Sequence, residues 1–219
     1  MTSLALSRVH FPVTNLGTGR RIGVWLQGCT VHCPGCVSVD TWAARPEHQA
    51  DLGTVLDEIA GHLPGSDGLT VSGGEPTDQP EALTELLTGI RALTADRADW
   101  DVLVYTGRSL DEARTRMPRL DELADVVISE PFLADATTDH LALRGSSNQV
   151  VTPLSDLGRR RYPPDEVDDV YGDQRDTVGV CVEDGTIWLV GIPRPGDLQR
   201  METALARQGV EITRRSWLS

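Results

Sequence analysis

Apolar runs of strand length alternate with amphipathic helical segments between residues 21 and 129, and this order restricts the possible folds more than any other feature. Strands are predicted at 21–27, 68–72, 101–105 and 126–129. Apolar residues recur at helical spacing between 52 and 63 and again between 83 and 93. Strands and helices in this order are typical of βα units around a mostly parallel sheet, so we predict an α/β fold.

Local signals refine the ends of these elements. Ser109, followed three residues later by Glu112, has the pattern of a capping box and predicts the start of a helix that Pro118 should kink or interrupt. A fifth strand is expected at 141–143. Ligands of such sheets bind outside the carboxyl ends of the strands, so the loops after the first three strands are predicted to share one rim.

The sequence changes character beyond these strands. We predict three parts: a core at 1–156, a charged, proline-containing linker at 157–175, and a small βα appendage at 176–219. Apolar runs on both sides of Asp184-Gly185 predict a β-hairpin in the appendage. A closing helix is indicated by Leu198, Met201 and Leu205, and Gly209 marks its end.

Composition limits the class of protein. The net charge of -13 over 219 residues argues against a general nucleic-acid binder, because such a protein needs a basic surface. No apolar stretch approaches the roughly 20 residues of a membrane span. Residues 1–10 lack the basic-then-apolar order of a signal peptide. We therefore expect a cytoplasmic protein that does not contact membranes.

Three of the four cysteines lie close together in the sequence. Cys29, Cys33 and Cys36 have the spacing C-x3-C-x2-C and follow the first predicted strand. Three thiolates within eight residues are able to converge on one inorganic cluster and leave one of its metal sites without a protein ligand. Thiolates suit iron–sulfur clusters because both partners are soft, so a [4Fe–4S] cluster with one open iron is the favoured interpretation.

Two other interpretations of the cysteines stay open. A closed zinc site needs a fourth ligand, for which His32, His48 and His62 are candidates, but no second ligand pair is present. Three unrelated buried thiols are the remaining alternative. Cys181 alternates with valines in a strand-like run, so it is predicted to be a buried structural thiol, with a role as fourth ligand as the minor alternative.

The cysteine spacing reproduces the signature of the radical S-adenosylmethionine (radical SAM) superfamily. The run 26–42 around the cysteines resembles the glycyl-radical-enzyme activases. Further runs at 72–76, 104–107 and 144–149 most resemble the branch that activates anaerobic ribonucleotide reductase. The similarity extends over roughly residues 10–152.

This resemblance implies a fold and a chemistry. The fold is a partial (β/α) barrel of about six strands with an open lateral face, and the hairpin and helix of the appendage are additional. Each of Cys29, Cys33 and Cys36 holds one iron, and the amine and carboxylate of SAM chelate the fourth. An electron from a donor such as flavodoxin or ferredoxin breaks a carbon–sulfur bond of SAM and yields a 5′-deoxyadenosyl radical.

The resemblance also assigns SAM to Ser72, Gly73, Gly74 and Glu75, after the second predicted strand. Glycines let backbone carbonyls come close to the methionyl ammonium of SAM. The carboxylate of Glu75 is able to accept a charge-assisted hydrogen bond from the same group. A tight turn after a strand is the structural alternative.

Two further stretches carry candidate contacts to SAM. Thr106 follows the third predicted strand and is placed to meet the ribose, with an ordinary strand-end residue as the alternative. Ser147 and Asn148, with their neighbours Ser146 and Gln149, are candidates for lining the adenosine or the docking groove of a partner. The alternative is a purely structural turn, because short polar side chains often bind backbone in turns.

Three positions depart from the activase pattern. Gly35 stands where many radical SAM proteins have an aromatic residue, Ser38 stands where activases commonly have Asn, and Glu130 stands where they usually show Asp-Gly. The favoured function is generation of a glycyl radical on a partner enzyme. The departures and the appendage motivate the alternative, a stand-alone radical SAM enzyme that modifies a small molecule or peptide. A non-enzymatic metal-bearing interaction module is the third class.

Overall fold

A computed structural model describes residues 2–137, 141–171, 178–183, 185–215 and 217. The strands are β1 Ser3–Val13, β2 Arg21–Leu26, β3 Gln49–Asp51, β4 Gly68–Gly73, β5 Asp101–Tyr105, β6 Val126–Ser129, β7 Val150–Pro153, β8 Gly179–Glu183 and β9 Thr186–Val190. The helices are α1 Leu52–His62, α2 Pro80–Leu93, α3 Leu110–Arg116, α4 Leu120–Leu123, α5 Asp156–Arg161, α6 Val167–Tyr171 and α7 Asp197–Arg207. None of the helices in the described ranges has the length and apolar content of a membrane span.

Seven of the strands form one sheet in the order β3-β1-β2-β4-β5-β6-β7. The four central strands, β2, β4, β5 and β6, are parallel, whereas β1, β3 and β7 run antiparallel to their neighbours. The mixed α/β fold with a mostly parallel sheet is confirmed, and the closure of that sheet into a partial barrel stays a prediction. Because β2, β4 and β5 are parallel, the loops after them emerge at one edge of the sheet.

The fifth strand predicted at 141–143 is wrong. Ala142 and Leu143 are buried, but Leu143 has a φ of +60°, which is incompatible with an extended strand. The strand that follows β6 in the sheet is β7, and it pairs with β6 in antiparallel register from Val126 opposite Pro153 to Ser129 opposite Val150. The apolar residues at 141–143 therefore fill the core from a loop.

The helices form where the apolar period predicts them. Helix α1 buries Val55 and Ile59 against the sheet, and α2 buries one continuous apolar face. The side chain of Ser109 accepts a hydrogen bond from the backbone N–H of Glu112 at 3.3 Å, so the predicted cap of α3 is confirmed. Helix α3 ends before Pro118, as expected, because proline cannot supply the N–H that would continue it.

The predicted hairpin and closing helix of the C-terminal part are confirmed as β8–β9 and α7, although residue 184 lies outside the described residues. Val190 of β9 packs with Val13 and Leu16, and its carbonyl accepts a hydrogen bond from Asn15 Nδ2 at 2.7 Å. Gly209 follows α7 with a φ of +78°. Cys181 lies in β8 and is only partly buried, with its Sγ 3.7 Å from His10 Nε2.

The stretch predicted as a linker, 157–175, contains most of α5 and all of α6, and its residues 172–175 lie outside the described residues. Tyr162 and Val167 of this stretch are buried against the far end of the sheet. The hydroxyl of Tyr162 lies 3.2 Å from Asp101 Oδ2, and Asp101 also pairs with the fully buried Arg21 at 2.8 Å. The division of the chain at residue 156 stays a prediction.

Candidate functional site

The cysteine loop, residues 28–36, follows β2 at the carboxyl edge of the sheet. Cys29, Cys33 and Cys36 are each half-buried, and none of them forms a disulfide. The loop turns back on itself because Gly28 and Gly35 have φ values of +96° and +80°, and the N–H of Cys36 donates to the carbonyl of Cys33 at 3.1 Å. The three thiols are therefore presented by a compact, internally bonded loop.

The segment that follows the cysteine loop forms backbone hydrogen bonds with the first residues of that loop. The N–H of Gly28 donates to the carbonyl of Thr41 at 2.7 Å, and the N–H of Cys29 donates to that of Trp42 at 3.0 Å. His32 is exposed, and its ring stacks on that of Trp42 with the centroids 4.5 Å apart. The 26–42 run singled out in the sequence is thus one connected piece of structure.

The thiols of Cys33 and Cys36 are costly to ionise unless a cation is bound. Burial raises the pKa of Cys33 and of Cys36, and the proximity of Cys29 raises both further. Thiols that are costly to ionise together favour bound cations, since a metal stabilises the thiolate. Within the described ranges, no three His, Cys, Asp or Glu side chains close in on a single metal ion. A cluster offers a different iron to each thiolate, so its ligands need not meet at one point.

Gly73 and Gly74 bring the loop after β4 against the cysteine loop. A Cβ on Gly74 would lie 2.1 Å from the carbonyl oxygen of Gly28, and Gly73 has a φ of +101°. The N–H groups of Gly74 and Glu75 donate to the carbonyls of Leu26 and Gly28, each at 2.8 Å. The glycines of this motif are therefore required for the close approach of two backbones. Ser72, at the end of β4, is half-buried opposite Trp25.

Glu75 is almost fully buried, with 1% of its surface exposed. Its Oε1 accepts hydrogen bonds from the backbone and hydroxyl of Thr77 at 3.0 and 2.6 Å and from the hydroxyl of Thr106 at 2.7 Å. Its Oε2 accepts from the N–H of Gly107 at 2.8 Å. Glu75 and Thr106, which follow different strands and are both predicted to contact SAM, thus bind each other.

The run 144–149 supports the neighbouring loop at 130–133. Ser146 Oγ accepts from the N–H of Leu133 at 3.1 Å, and Asn148 Nδ2 donates to the carbonyl of Pro131 at 2.7 Å. Gln149 Oε1 accepts from the N–H of Gly145 at 2.7 Å, and Ser147 is exposed. These contacts are those of a structural turn, and they place the run beside the rim without showing a ligand.

Three residues of the site were not predicted from the sequence: Thr30, Asp78 and Arg108. Asp78 Oδ2 accepts a hydrogen bond from the N–H of Thr30, which follows the first cysteine, at 2.8 Å. Arg108 Nη2 donates to Asp78 Oδ1 at 2.6 Å. Their positions could have indicated a role, because Asp78 and Arg108 each lie in a loop predicted to reach the rim.

A cleft of about 690 Å³ lies beside the cysteine loop. One wall belongs to the cysteine loop and the loop at 130–137, and the other to the C-terminal part of the chain. The lining residues are Gly35, Val37, Phe132, Ala134, Thr137, Pro193, Arg194, Pro195, Gly196, Leu198, Gln199, Glu202, Arg215 and Trp217. The C-terminal part therefore borders the candidate site.

Comparison with known proteins decides the family. Residues 15–152, more than half of the chain, match the family described as 4Fe-4S single cluster domain. This chain belongs to that family. The matched range of the 4Fe-4S family contains the three clustered cysteines, the glycine motif after β4, Thr106 and the run 144–149.

Named relatives of this 4Fe-4S protein agree with one another. The anaerobic ribonucleoside-triphosphate reductase-activating protein of Escherichia coli (strain K12) is 30% identical over 149 residues, which are 66% of this chain and 96% of the relative. The proteins of the same name from Vibrio cholerae and phage T4 are 29% and 30% identical and are covered over 94% and 83% of their lengths. The activase-like identification made from the sequence is confirmed.

Proposed function

We propose that this protein is a radical SAM activase of anaerobic ribonucleotide reductase. Cys29, Cys33 and Cys36 would hold a [4Fe–4S] cluster, and SAM would bind at its remaining iron. The observation that carries the proposal is the direct backbone bonding of the cysteine loop to the glycine motif, through the N–H of Glu75 and the carbonyl of Gly28. These bonds fix the loop that would hold the cluster relative to the loop that would bind SAM.

Different residues of the chain would serve the cluster and the methionyl end of SAM. When bound, the cluster supplies the electron, received from a donor such as flavodoxin or ferredoxin, that cleaves SAM to methionine and a 5′-deoxyadenosyl radical. Glu75 Oε2 accepts one hydrogen bond within the chain and keeps capacity for a second, which we assign to the methionyl ammonium. Ser72, Gly73 and Gly74 would offer backbone groups to the same end of SAM.

The roles on the adenosine side belong to the loop after β5 and to the run 144–149. Thr106 is held by Glu75 and would approach the ribose from the end of β5. The exposed Ser147 and its neighbour Asn148 would line the adenosine or the docking groove of the reductase. Buried Asn148 Oδ1 has no hydrogen-bond partner among the described residues, which supports a ligand contact for this side chain.

The glycyl radical itself is the test of this function. The reconstituted, reduced protein is mixed anaerobically with SAM and an anaerobic ribonucleoside-triphosphate reductase, and protein radicals are measured by electron paramagnetic resonance. We expect a radical signal on the reductase that disappears when its radical-bearing glycine is replaced by alanine. SAM consumption without any radical on the reductase would contradict the activase role.

The cleft favours a second candidate, a radical SAM enzyme that acts on a small molecule or peptide. Its volume of about 690 Å³ lies within the usual range of roughly 300–1,000 Å³ for ligand pockets, and it has apolar and aromatic walls. Turnover of a small substrate without any reductase, and its loss in Leu198→Asp on the cleft wall, would support this candidate over the activase.

A further inference from the structure

We propose that Arg108 and Asp78 are positioning residues that hold the cysteine loop and tune the reduction potential of the cluster bound there. The inference rests on the cluster proposed above and does not depend on SAM cleavage. Neither side chain is a candidate ligand. Both hold the loop through Thr30, the residue that follows Cys29, and both act on the potential through their charges.

Asp78 accepts hydrogen bonds from both donor groups of Thr30. Its Oδ2 accepts from the backbone N–H of Thr30 at 2.8 Å, and its Oδ1 accepts from the hydroxyl at 3.0 Å. Two bonds from one carboxylate fix the position and the rotation of Thr30. Because the backbone of Thr30 is continuous with Cys29, they also fix the direction from which the first thiolate reaches the cluster.

Arg108 connects the cysteine loop to the three other loops that follow β4, β5 and β6. Its Nη2 donates to the hydroxyl of Thr30 at 2.7 Å and to Asp78 Oδ1 at 2.6 Å, and its Nη1 donates to Glu112 in α3 at 2.7 Å. Its backbone carbonyl accepts from the N–H of Glu130, whose φ of +82° is unusual for a residue other than glycine. One residue therefore ties together the loops after β2, β4, β5 and β6.

The pair is poorly accessible to solvent. Only 11% of the Arg108 side chain and 13% of the Asp78 side chain are exposed. Charges in such positions are weakly screened by water and salt, so they act on neighbouring charges more strongly than surface ion pairs do. Arg116 Nη1 also lies 3.5 Å from Asp78 Oδ1, but 40% of its side chain is exposed. In the nearby surface pair of Arg114 with Asp121, 41% and 49% of the side chains are exposed.

The placement has a consequence for redox chemistry. Reduction adds a negative charge to a cluster that its thiolates already make anionic, and net charge and hydrogen bonding around a cluster set its potential. Arg108 favours the reduced cluster and Asp78 disfavours it. Removing each charge singly must therefore move the potential in opposite directions.

The experiment is a redox titration of the full-length, anaerobically reconstituted protein, followed by electron paramagnetic resonance of the reduced cluster. We expect Arg108→Gln to shift the midpoint potential to a more negative value and Asp78→Asn to shift it to a more positive one. Arg108→Lys keeps the charge and should restore the wild-type potential. Arg114→Gln, which removes the same charge from a surface pair of α3, is the matched control and should leave the potential unchanged.

Iron release to a chelator measures the positioning role separately. Partners that orient metal ligands typically change metal affinity by about 10–100-fold when they are lost, so we expect Asp78→Asn to release iron about tenfold faster than Arg114→Gln does. Thr30→Val removes the hydroxyl but no charge, so it should speed release and leave the potential where it is.

Potential shifts of the same sign for Arg108→Gln and Asp78→Asn, or no shift in either, would overturn the tuning role. Iron release at the wild-type rate in Asp78→Asn and Thr30→Val would overturn the positioning role. If the variants show the predicted shifts but the wild-type cluster never cleaves SAM, the proposed function is refuted and this inference stands. SAM cleavage by the wild type without potential shifts in the variants would refute this inference and leave the proposed function standing.

Discussion

At the scale of single residues, the glycine motif has a structural use that its sequence does not show. The sequence assigned Gly73 and Gly74 to close approach of a ligand, and the structure shows a close approach of two loops. Both uses need the absence of a side chain, so the pattern alone cannot separate them. The four hydrogen bonds that the Glu75 carboxylate accepts could not be predicted from the sequence either. Two of their donors belong to Thr106 and Gly107, which only the fold brings near Glu75.

Gly74 offers a test with a control elsewhere in the chain. A Cβ at position 74 would lie 2.1 Å from a backbone oxygen, so Gly74→Ala should separate the two loops, destabilise the protein by about 1–3 kcal/mol and weaken cluster assembly. Gly61 lies in α1, and a Cβ added there would have nothing within 4 Å, so Gly61→Ala should stabilise by about 0.5–1 kcal/mol. Urea unfolding of both variants measures the difference; equal effects would contradict the packing role.

Asp78 gives the cysteine loop a predictable response to pH. Burial opposes its charge, but the hydrogen bonds from Arg108 and Thr30 outweigh burial and lower the pKa of Asp78. The unfolded chain has a carboxyl pKa of about 3.9. Stabilisation by this group is therefore complete above that pH and is lost as the pH falls through the lower folded pKa. The cluster-free protein should lose more unfolding free energy between neutral and acid pH than Asp78→Asn does, and parallel losses would refute the assignment.

At the scale of elements, periodicity located the central strands and the helices α1 and α2, because the spacing of their apolar residues reflects which faces are buried. It missed β1, a strand whose half-exposed face carries Arg8 and His10. It also missed β7, a short strand in which only Val151 is buried. It placed a strand at 141–143 because three consecutive residues with two leucines indicate burial, and burial does not require extended backbone. Tertiary pairing decides such segments.

The cap of α3 is a prediction at this scale. Ser109→Ala removes the hydroxyl that accepts from the N–H of Glu112 and should cost about 0.5–2 kcal/mol of stability. Thr115, within the same helix, bonds its hydroxyl to the carbonyl of Asp111 and caps nothing. Thr115→Ala should therefore be nearly neutral in thermal unfolding. A Thr115→Ala loss as large as that of Ser109→Ala would show that the cap is not the cause.

At the scale of the whole molecule, the sequence predicted that the cysteine loop, the glycine motif and Thr106 meet, because parallel strands end at one edge of the sheet. It could not predict the pair formed by Arg108 and Asp78, nor the cleft between the cysteine loop and α7. Both depend on contacts between segments far apart in the chain, for which periodicity carries no signal.

The far end of the sheet is held by a buried ion pair that joins distant segments. Asp101 in β5 binds Arg21 in β2, and neither side chain is exposed; Tyr162, after α5, adds its hydroxyl. Asp101→Asn leaves the guanidinium buried without its counter-charge and should destabilise the fold by about 3–5 kcal/mol. Asp121→Asn breaks only a surface pair and should cost about 0–1 kcal/mol. Similar midpoints of chemical denaturation for the two variants would contradict this account.

The central claim is that the three clustered cysteines support reductive cleavage of SAM. The most direct measurement is the amount of 5′-deoxyadenosine formed after anaerobic reconstitution with iron and sulfide and reduction with dithionite. We predict that the wild-type protein forms it and that Cys29→Ala, Cys33→Ala and Cys36→Ala abolish it, whereas Cys181→Ala retains it. Formation that continues at an unchanged rate in Cys33→Ala, or a fully assembled wild-type cluster that never cleaves SAM in the presence of the reductase, would contradict the account.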